Sequence, residues 1–118
     1  MFFQLGKEKY FCNKSGDVDP VELDYQDIRK TWVCPCCSIP VTIEATSEND
    51  GIQSYLRLSV KDIEVGDYVY IHGSGFLSVV AAGKQNDSYF LAIKGHGRLS
   101  KLKDTEFFNT LDSGKFWD

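Results

Sequence analysis

The second half of the chain alternates between apolar and polar residues in short stretches that are separated by glycine-containing turns. The alternation runs through residues 55–60, 68–72, 76–82, 88–94 and 98–102. Short strands with turns at this spacing are typical of a small antiparallel barrel or meander. We therefore predict a β-module over residues 54–118.

The first half has a weaker pattern. Residues 9–12 and 38–45 predict short strands, and residues 17–27 predict an irregular connector with one helical turn. Residues 46–51 form the most polar stretch of the chain, which favours a boundary there. These patterns place a small N-terminal module at residues 1–45. The predicted fold class is mostly β.

The C-terminal tail, residues 104–118, is rich in aromatic residues. We predict that it forms one turn of helix and docks its rings onto the barrel or covers the barrel's edge. The rings belong to Phe107, Phe108, Phe116 and Trp117.

Composition and charge narrow the function classes. The chain of 118 residues carries a net charge of −4, so it lacks the global basic field that supplies most non-specific affinity for nucleic acids. No apolar run approaches the roughly 20 residues that span a bilayer, and the N-terminus does not resemble a secretory signal. We expect a cytoplasmic protein with no membrane partner, in which reduced cysteines favour metal binding over disulfides.

Four cysteines suggest a metal site. Cys34 and Cys37 have the two-residue spacing of a zinc knuckle, in which both sulfurs reach one tetrahedral ion. Cys12 precedes a second, incomplete knuckle in which Ser15 occupies the other ligand position. The separation between Ser15 and Cys34 fits the roughly 15–20 residues expected between two knuckles. Cys36 lies between the paired cysteines.

Residues 9–16, followed by residues 27–37, resemble rubredoxins and rubredoxin-like zinc ribbons, which have an aromatic residue before the first knuckle and a "D-x-W-x-C-P-x-C" second knuckle. The resemblance covers about residues 7–40. It implies metal ligation by Cys12, Cys34 and Cys37, and packing of Tyr10 and Trp32 against the site. The chain departs from the pattern at Ser15 and at Ser38, which replaces the usual glycine.

The fourth metal ligand is open between Ser15, Asp17 and Cys36. Zinc with a structural role is the favoured cofactor. The alternatives are a metal-free ribbon in which the cysteines act as small buried apolar residues, or a disulfide that involves Cys12 or joins Cys36 to Cys37.

A second, broader resemblance lies in residues 62–69, "D-I-E-V-G-D-Y-V", which is similar to the entry strand of many SH3-like barrels. It implies an SH3-like fold for the C-terminal module and names no function. No nucleophile elbow or phosphate-binding loop is present in the sequence, and neither His72 nor His96 is paired with a nucleophile. We therefore expect no enzymatic activity.

Two charged clusters predict opposite partners. An acidic run over residues 17–27 suits a basic surface of a protein partner, whereas a basic cluster near Tyr89 and Phe90 suits nucleic acid. The cluster consists of Lys94, Arg98, Lys101 and Lys103. Glycines around His96 also allow a small anion-binding loop, although an ordinary turn is favoured.

These observations lead to one hypothesis and two alternatives. The leading hypothesis is a small, non-enzymatic regulatory module that binds another protein and has a zinc ribbon as its structural staple. The first alternative is a zinc-ribbon protein associated with nucleic acid, which the acidic total disfavours. The second is a degenerate rubredoxin-like electron carrier.

Overall fold

A computed structural model describes residues 6–12, 21–35, 38–47 and 51–112 of the chain. Its elements are β1 (Lys7–Cys12), β2 (Val21–Leu23), α1 (Tyr25–Ile28), β3 (Thr42–Ser47), β4 (Gly51–Ser59), a 3-10 helix (Val60–Asp62), β5 (Tyr68–Ile71), β6 (Gly75–Gln85), β7 (Ser88–Ile93), β8 (Gly97–Leu102) and β9 (Phe107–Thr110). The predicted mostly-β class is confirmed. Within the described ranges, no helix has the length and apolarity needed to cross a membrane.

The chain divides into two compact units, and the division falls within β4, between Arg57 and Leu58. The N-terminal unit contains the described residues of Gln4–Arg57, and the C-terminal unit contains Leu58–Leu111. On the N-terminal side, β3 and β4 form a hairpin in which Ser47 faces Gly51. The module limits expected from sequence, 1–45 and 54–118, stay predictions.

The N-terminal unit is an antiparallel arrangement in the order β2-β1-β3-β4. Tyr10 in β1 faces Ile43 in β3, which in turn faces Tyr55 in β4. Side chains alternate between the two faces of a strand but stay on one face across paired strands. These three residues therefore share one face, and all three are buried.

Helix α1 connects β2 to the cysteine-containing turn. Its N-cap is Asp24, whose side chain accepts a hydrogen bond from the backbone N–H of Gln26 at 3.0 Å. The helix is one turn long and has Arg29 as its C-cap. Beyond it, Trp32 adopts a left-handed φ of 57° and donates its backbone N–H to the carbonyl of Ile28. After Trp32, Val33 forms an isolated β-bridge with Pro40.

The C-terminal unit contains the antiparallel meander β5-β6-β7-β8, and β9 returns to pair with β5, which gives the order β9-β5-β6-β7-β8. The strands expected from alternation are confirmed for β5, β6, β7 and β8. A bulge in β6 between Val79 and Ala81 places two residues opposite Ala92 of β7. The apolar part of the core is Leu58, Val60, Ile63, Val69, Val79, Leu91, Ile93, Leu102 and Phe108, and four polar residues of this unit are also buried, namely Ser59, Asp67, Asn109 and Thr110.

The prediction of a helical turn in the tail is wrong for the described part. Phe107–Thr110 form strand β9, which pairs with β5 through Val69 and Thr110. Phe108 docks as expected and is 3% exposed. A strand is favoured because β5 offers a free edge, whose backbone groups gain hydrogen bonds when β9 pairs with it. Phe116 and Trp117 lie outside the described residues.

Candidate functional site

The cysteines expected to bind metal fall only partly within the described residues. Cys12 is the last residue of β1, is half-buried and faces Val21 of β2. Cys34 is 2% exposed. The third expected ligand, Cys37, lies outside the described residues, as do the three candidates for the fourth ligand, Ser15, Asp17 and Cys36.

The turn that begins at Cys34 has a compact backbone. The carbonyl of Cys34 accepts a hydrogen bond from the N–H of Ser38 at 2.8 Å, and the N–H of Cys34 donates to the carbonyl of Ile39 at 2.9 Å. Ser38 has a φ of 59°, in the left-handed region that favours glycine.

Within the four described ranges, no group of three or more His, Cys, Asp or Glu side chains is placed to hold a metal ion. Two of the expected thiol ligands are described, and each belongs to a hydrogen-bonded backbone element. Zinc binding through Cys12, Cys34 and Cys37 stays a prediction.

Next to the Cys34 turn lies an aromatic cluster of Tyr10, Tyr25 and Trp32. The three ring centroids are 5.7–6.1 Å apart, and the rings are tilted with respect to one another. Tyr10 and Trp32 are 6% and 3% exposed, whereas Tyr25 is 44% exposed. The two aromatic residues that the resemblance assigned to packing are therefore buried and in contact, and Tyr25 brings the cluster to the surface.

A buried ion pair supports this cluster from within the N-terminal unit. The Arg57 guanidinium donates to both carboxylate oxygens of Glu8, with Nη2–Oε2 at 2.6 Å and Nη1–Oε1 at 3.2 Å. The two side chains are 0% and 1% exposed, respectively. The guanidinium carbon also lies 4.4 Å from the centroid of the Trp32 ring, which is a cation–π contact.

Two tyrosine hydroxyls complete the coordination of the Glu8 carboxylate. Tyr10 donates to Oε1 at 2.8 Å and Tyr55 donates to Oε2 at 2.5 Å. Register explains the arrangement, because Tyr10 and Tyr55 both face Ile43. We call Glu8, Tyr10, Tyr55 and Arg57 the buried network.

The buried network shifts two pKa values in opposite directions. Burial acts to raise the pKa of Glu8, but hydrogen bonds from Arg57 and Tyr55, the Arg57 charge and the Tyr10 hydrogen bond outweigh it and lower this pKa. Burial, together with the hydrogen bond to Glu8, raises the pKa of Tyr10 above its ordinary value. An ionised, fully hydrogen-bonded carboxylate has little tendency to accept a proton, so Glu8 is suited to a structural role.

A groove of about 480 Å³ opens at the surface of the same unit. One side is formed by residues 8–10 of β1, and the other by residues 22–25. Its exposed charges are the carboxylates of Glu22 and Asp24 and the ammonium group of Lys9. The carboxylate of Glu8 is already satisfied by the buried network. The groove therefore combines a net negative charge with the rings of Tyr10 and Tyr25.

In the C-terminal unit the structure brings together part of the predicted basic cluster. The Arg98 guanidinium carbon is 4.1 Å from the centroid of the Phe90 ring, whereas Lys84, which was not in the predicted cluster, lies 5.9 Å from the ring of Tyr89. The remaining predicted members, Lys94, Lys101 and Lys103, are exposed.

Both histidines are exposed and lie in turns. His96 occupies the turn between β7 and β8, where its N–H donates to the carbonyl of Ile93. Gly95 and Gly97 both have positive φ, at 80° and 110°, which is how the chain reverses direction there. This geometry is that of an ordinary turn.

Sequence reasoning missed the buried network entirely. Sequence reasoning gave no role to Glu8, which sits between two lysines, or to Arg57, which sits in an alternating strand. The pair is separated by 49 residues in sequence. No local pattern signals such a contact.

Comparisons with known proteins give no relative from which a function can be inferred. No protein-family model, no curated protein and no solved structure matches the chain.

Proposed function

We propose that the chain is a small, non-enzymatic binding module whose N-terminal unit recognises a basic segment of a protein partner. The observation that carries the proposal is the groove lined by residues 8–10 and 22–25, whose lining includes the exposed residues Glu22, Asp24 and Tyr25. A lysine or arginine side chain gains from both features, through Coulomb attraction to Glu22 and Asp24 and through a cation–π contact with Tyr25.

The buried network explains why such a groove would be preorganised. Tyr10, one of its lining residues, is fixed by a hydrogen bond to Glu8 and by contact with Trp32. A rigid surface loses less conformational freedom on binding, which favours affinity. Tyr25 is held in the same cluster, while 44% of its surface is exposed and available for contact.

As part of the same proposal, a zinc ion held by Cys12, Cys34 and Cys37 has a structural role. The ion would join the end of β1 to the turn that follows α1, so the two sides of the groove would be fixed by one tetrahedral centre. Metal analysis of the purified protein, with the Cys34→Ser variant as the control, measures this part directly. We expect one equivalent of zinc in the parent chain and a loss in the variant.

The binding proposal is tested by NMR titration of the full chain with three ten-residue Gly-Ser peptides that contain no, one or three lysines. We expect amide shifts at Leu23 and Tyr25 that increase with the number of lysines. The Glu22→Gln/Asp24→Asn double variant should weaken binding about tenfold, because it removes two attractive charges near the ligand. Asparagine at position 24 keeps the helix cap.

The matched control is Asp87→Asn/Asp104→Asn, which changes the net charge by the same amount in the C-terminal unit. If both double variants bound the peptide equally weakly, overall charge alone would explain the loss of affinity, and the proposal would be contradicted. Absence of shifts at millimolar peptide concentrations would contradict it as well.

A further inference from the structure

The C-terminal meander has one face that its own core does not cover. Alternation places Val69, Val79 and Leu91 on the core side, so their neighbours along the strands project to the other side. We call this other side the outer face. Its residues are Tyr68, Tyr70, Phe76, Ser78, Val80, Ala81, Gly83, Gln85, Ser88, Phe90, Ala92, Arg98 and Ser100, all of them exposed or half-buried.

The composition of the outer face is unusual for a protein with 17 acidic residues, because the face contains none of them. It carries four aromatic rings and a single arginine. Tyr70 and Phe76 pack edge-to-face, with their centroids 5.4 Å apart, and Phe90 stacks with Arg98. Tyr68 and Val80 are 47% and 54% exposed.

Arg98 is held in a fixed orientation by neutral partners. Its Nη2 donates to Oε1 of Gln85 at 2.6 Å and its Nε donates to Oγ of Ser100 at 3.3 Å. Phe90, on which the guanidinium lies, sits over Gly83, where a Cβ atom would come within 3.3 Å of the Phe90 ring. The glycine thus gives the ring room to lie against the sheet.

Among the residues that the structure describes, no carboxylate pairs with the charge of Arg98. Arg98 forms no ion pair with any described residue, and its remaining N–H donors are available to an anion. The sequence around it has the same sign, because residues 75–103 contain five basic residues and one acidic residue, for a net charge of +4. Arg98 is the charged residue of the outer face, and the four lysines of this stretch lie outside that face.

We propose that the outer face is a binding site for single-stranded nucleic acid. Aromatic side chains and arginine planes stack with unpaired bases, while a guanidinium and nearby lysines attract the phosphates. A neutral protein surface would use the rings equally well but would leave the charge of Arg98 without a partner, whereas a single strand uses both the rings and the charge. This site is additional to the groove of the N-terminal unit and uses none of its residues.

The dimensions of the face suit several nucleotides. The Tyr70–Phe76 pair lies at the start of β6, and Phe90 lies opposite Gly83, seven residues further along this strand. At roughly 3.3 Å per residue this is about 23 Å of strand. Small and apolar side chains at Val80, Ala81 and Ala92 leave the path between the two ends open.

The test is fluorescence anisotropy of labelled 12-nucleotide strands of dT and rU, titrated with the full chain at low salt. We expect saturable binding, with a 12-base-pair duplex bound at least about tenfold more weakly, because its paired bases cannot stack on the rings. Arg98→Ala should weaken binding about tenfold and reduce the dependence of log affinity on log salt by about 0.7, the value for one lost phosphate contact on a single strand.

Two further variants separate stacking from charge. Arg98→Lys keeps the charge but loses the planar contact, so we expect an unchanged salt dependence with several-fold weaker binding. Phe90→Leu should weaken binding several-fold through the lost ring. Arg29→Ala, an exposed arginine of the N-terminal unit, is the matched control and should bind like the parent chain; circular dichroism checks that each variant is folded.

Three results would overturn the proposal. They are no anisotropy change at 100 μM protein, equal weakening by Arg29→Ala and Arg98→Ala, and displacement of the oligomer by polyglutamate at equal charge concentration. The last result would identify an acidic protein segment as the occupant. None of these results depends on whether the N-terminal groove binds basic peptides.

Discussion

The two units of this protein bury different kinds of side chain in their cores. The core of the C-terminal unit consists mainly of aliphatic side chains such as Val69, Val79 and Leu91, which lie on one side of a meander. The core of the N-terminal unit contains a buried ion pair, Glu8 and Arg57, whose side chains are at most 1% exposed.

The difference shows how a small unit can gain specificity without a large apolar core. An ion pair buried in low dielectric rarely adds much net stability, because desolvation offsets most of the Coulomb gain. Loss of one partner is costly, however, since the other charge is left buried without compensation. The network therefore penalises arrangements of β1 and β4 that fail to bring Glu8 to Arg57.

The largest expected effect comes from breaking the pair on one side. Glu8→Leu or Arg57→Met should destabilise the N-terminal unit by about 3–5 kcal/mol, whereas the double variant should recover most of this loss. Native-state hydrogen exchange on the full chain measures the two units separately. Losses that simply add in the double variant would show that the two residues are not coupled.

A smaller effect of a different kind is expected in the C-terminal unit. Leu91 is 0% exposed. Leu91→Ala should lower the free energy of unfolding of this unit by about 2–5 kcal/mol, because transfer free energy is lost and a cavity remains. The measurement is the same exchange experiment, in which amides of β6 and β7 should lose protection. Leu99→Ala on β8, a half-buried leucine, is the matched control and should cost less.

The mildest expected effect is a pH dependence that belongs to the buried network. Because the pKa of folded Glu8 lies below its ordinary value of 4.5, its stabilisation is present above pH 4.5 and is lost as the pH falls further. Because the pKa of Tyr10 is raised, stability also declines as the pH rises above 10. Native-state hydrogen exchange of the β1 amides across this pH range measures both the acidic and the alkaline loss of stability.

The Glu8→Leu/Arg57→Met double variant provides the comparison for the acid limb. It lacks the carboxylate, so its β1 amides should show a flatter dependence below pH 4.5. A dependence as steep as that of the parent chain would place the titrating group elsewhere.

Sequence reasoning performed best where the determining interactions are local. The strands β5 to β8 follow from two-residue alternation interrupted by glycine turns, and the structure places each within a few residues of the predicted range. It failed at Phe107–Thr110, where a free edge on β5 decides the conformation. Edge pairing depends on which strand lies alongside, and a local pattern does not encode that.

The candidate sites also contain some features that the sequence indicated and others that it did not. The zinc-ribbon resemblance implied that Tyr10 and Trp32 pack against a metal site; the two rings contact each other, and their packing against a metal stays a prediction. The lining of the groove includes Glu22 and Asp24 of the predicted acidic run together with Tyr25, to which sequence reasoning gave no role. The stacking of Arg98 on Phe90 refines a basic cluster that sequence could place only approximately.

By itself, the sequence determined the fold class, most strands of the C-terminal unit and the approximate position of the charged clusters, because alternation, turn residues and composition act over short distances. Only the tertiary structure decided that Glu8 and Arg57 are buried together and that one sheet face carries rings without carboxylates. Both features arise from strand register, which aligns residues far apart in the chain, and a buried charge becomes tolerable only once that register is formed.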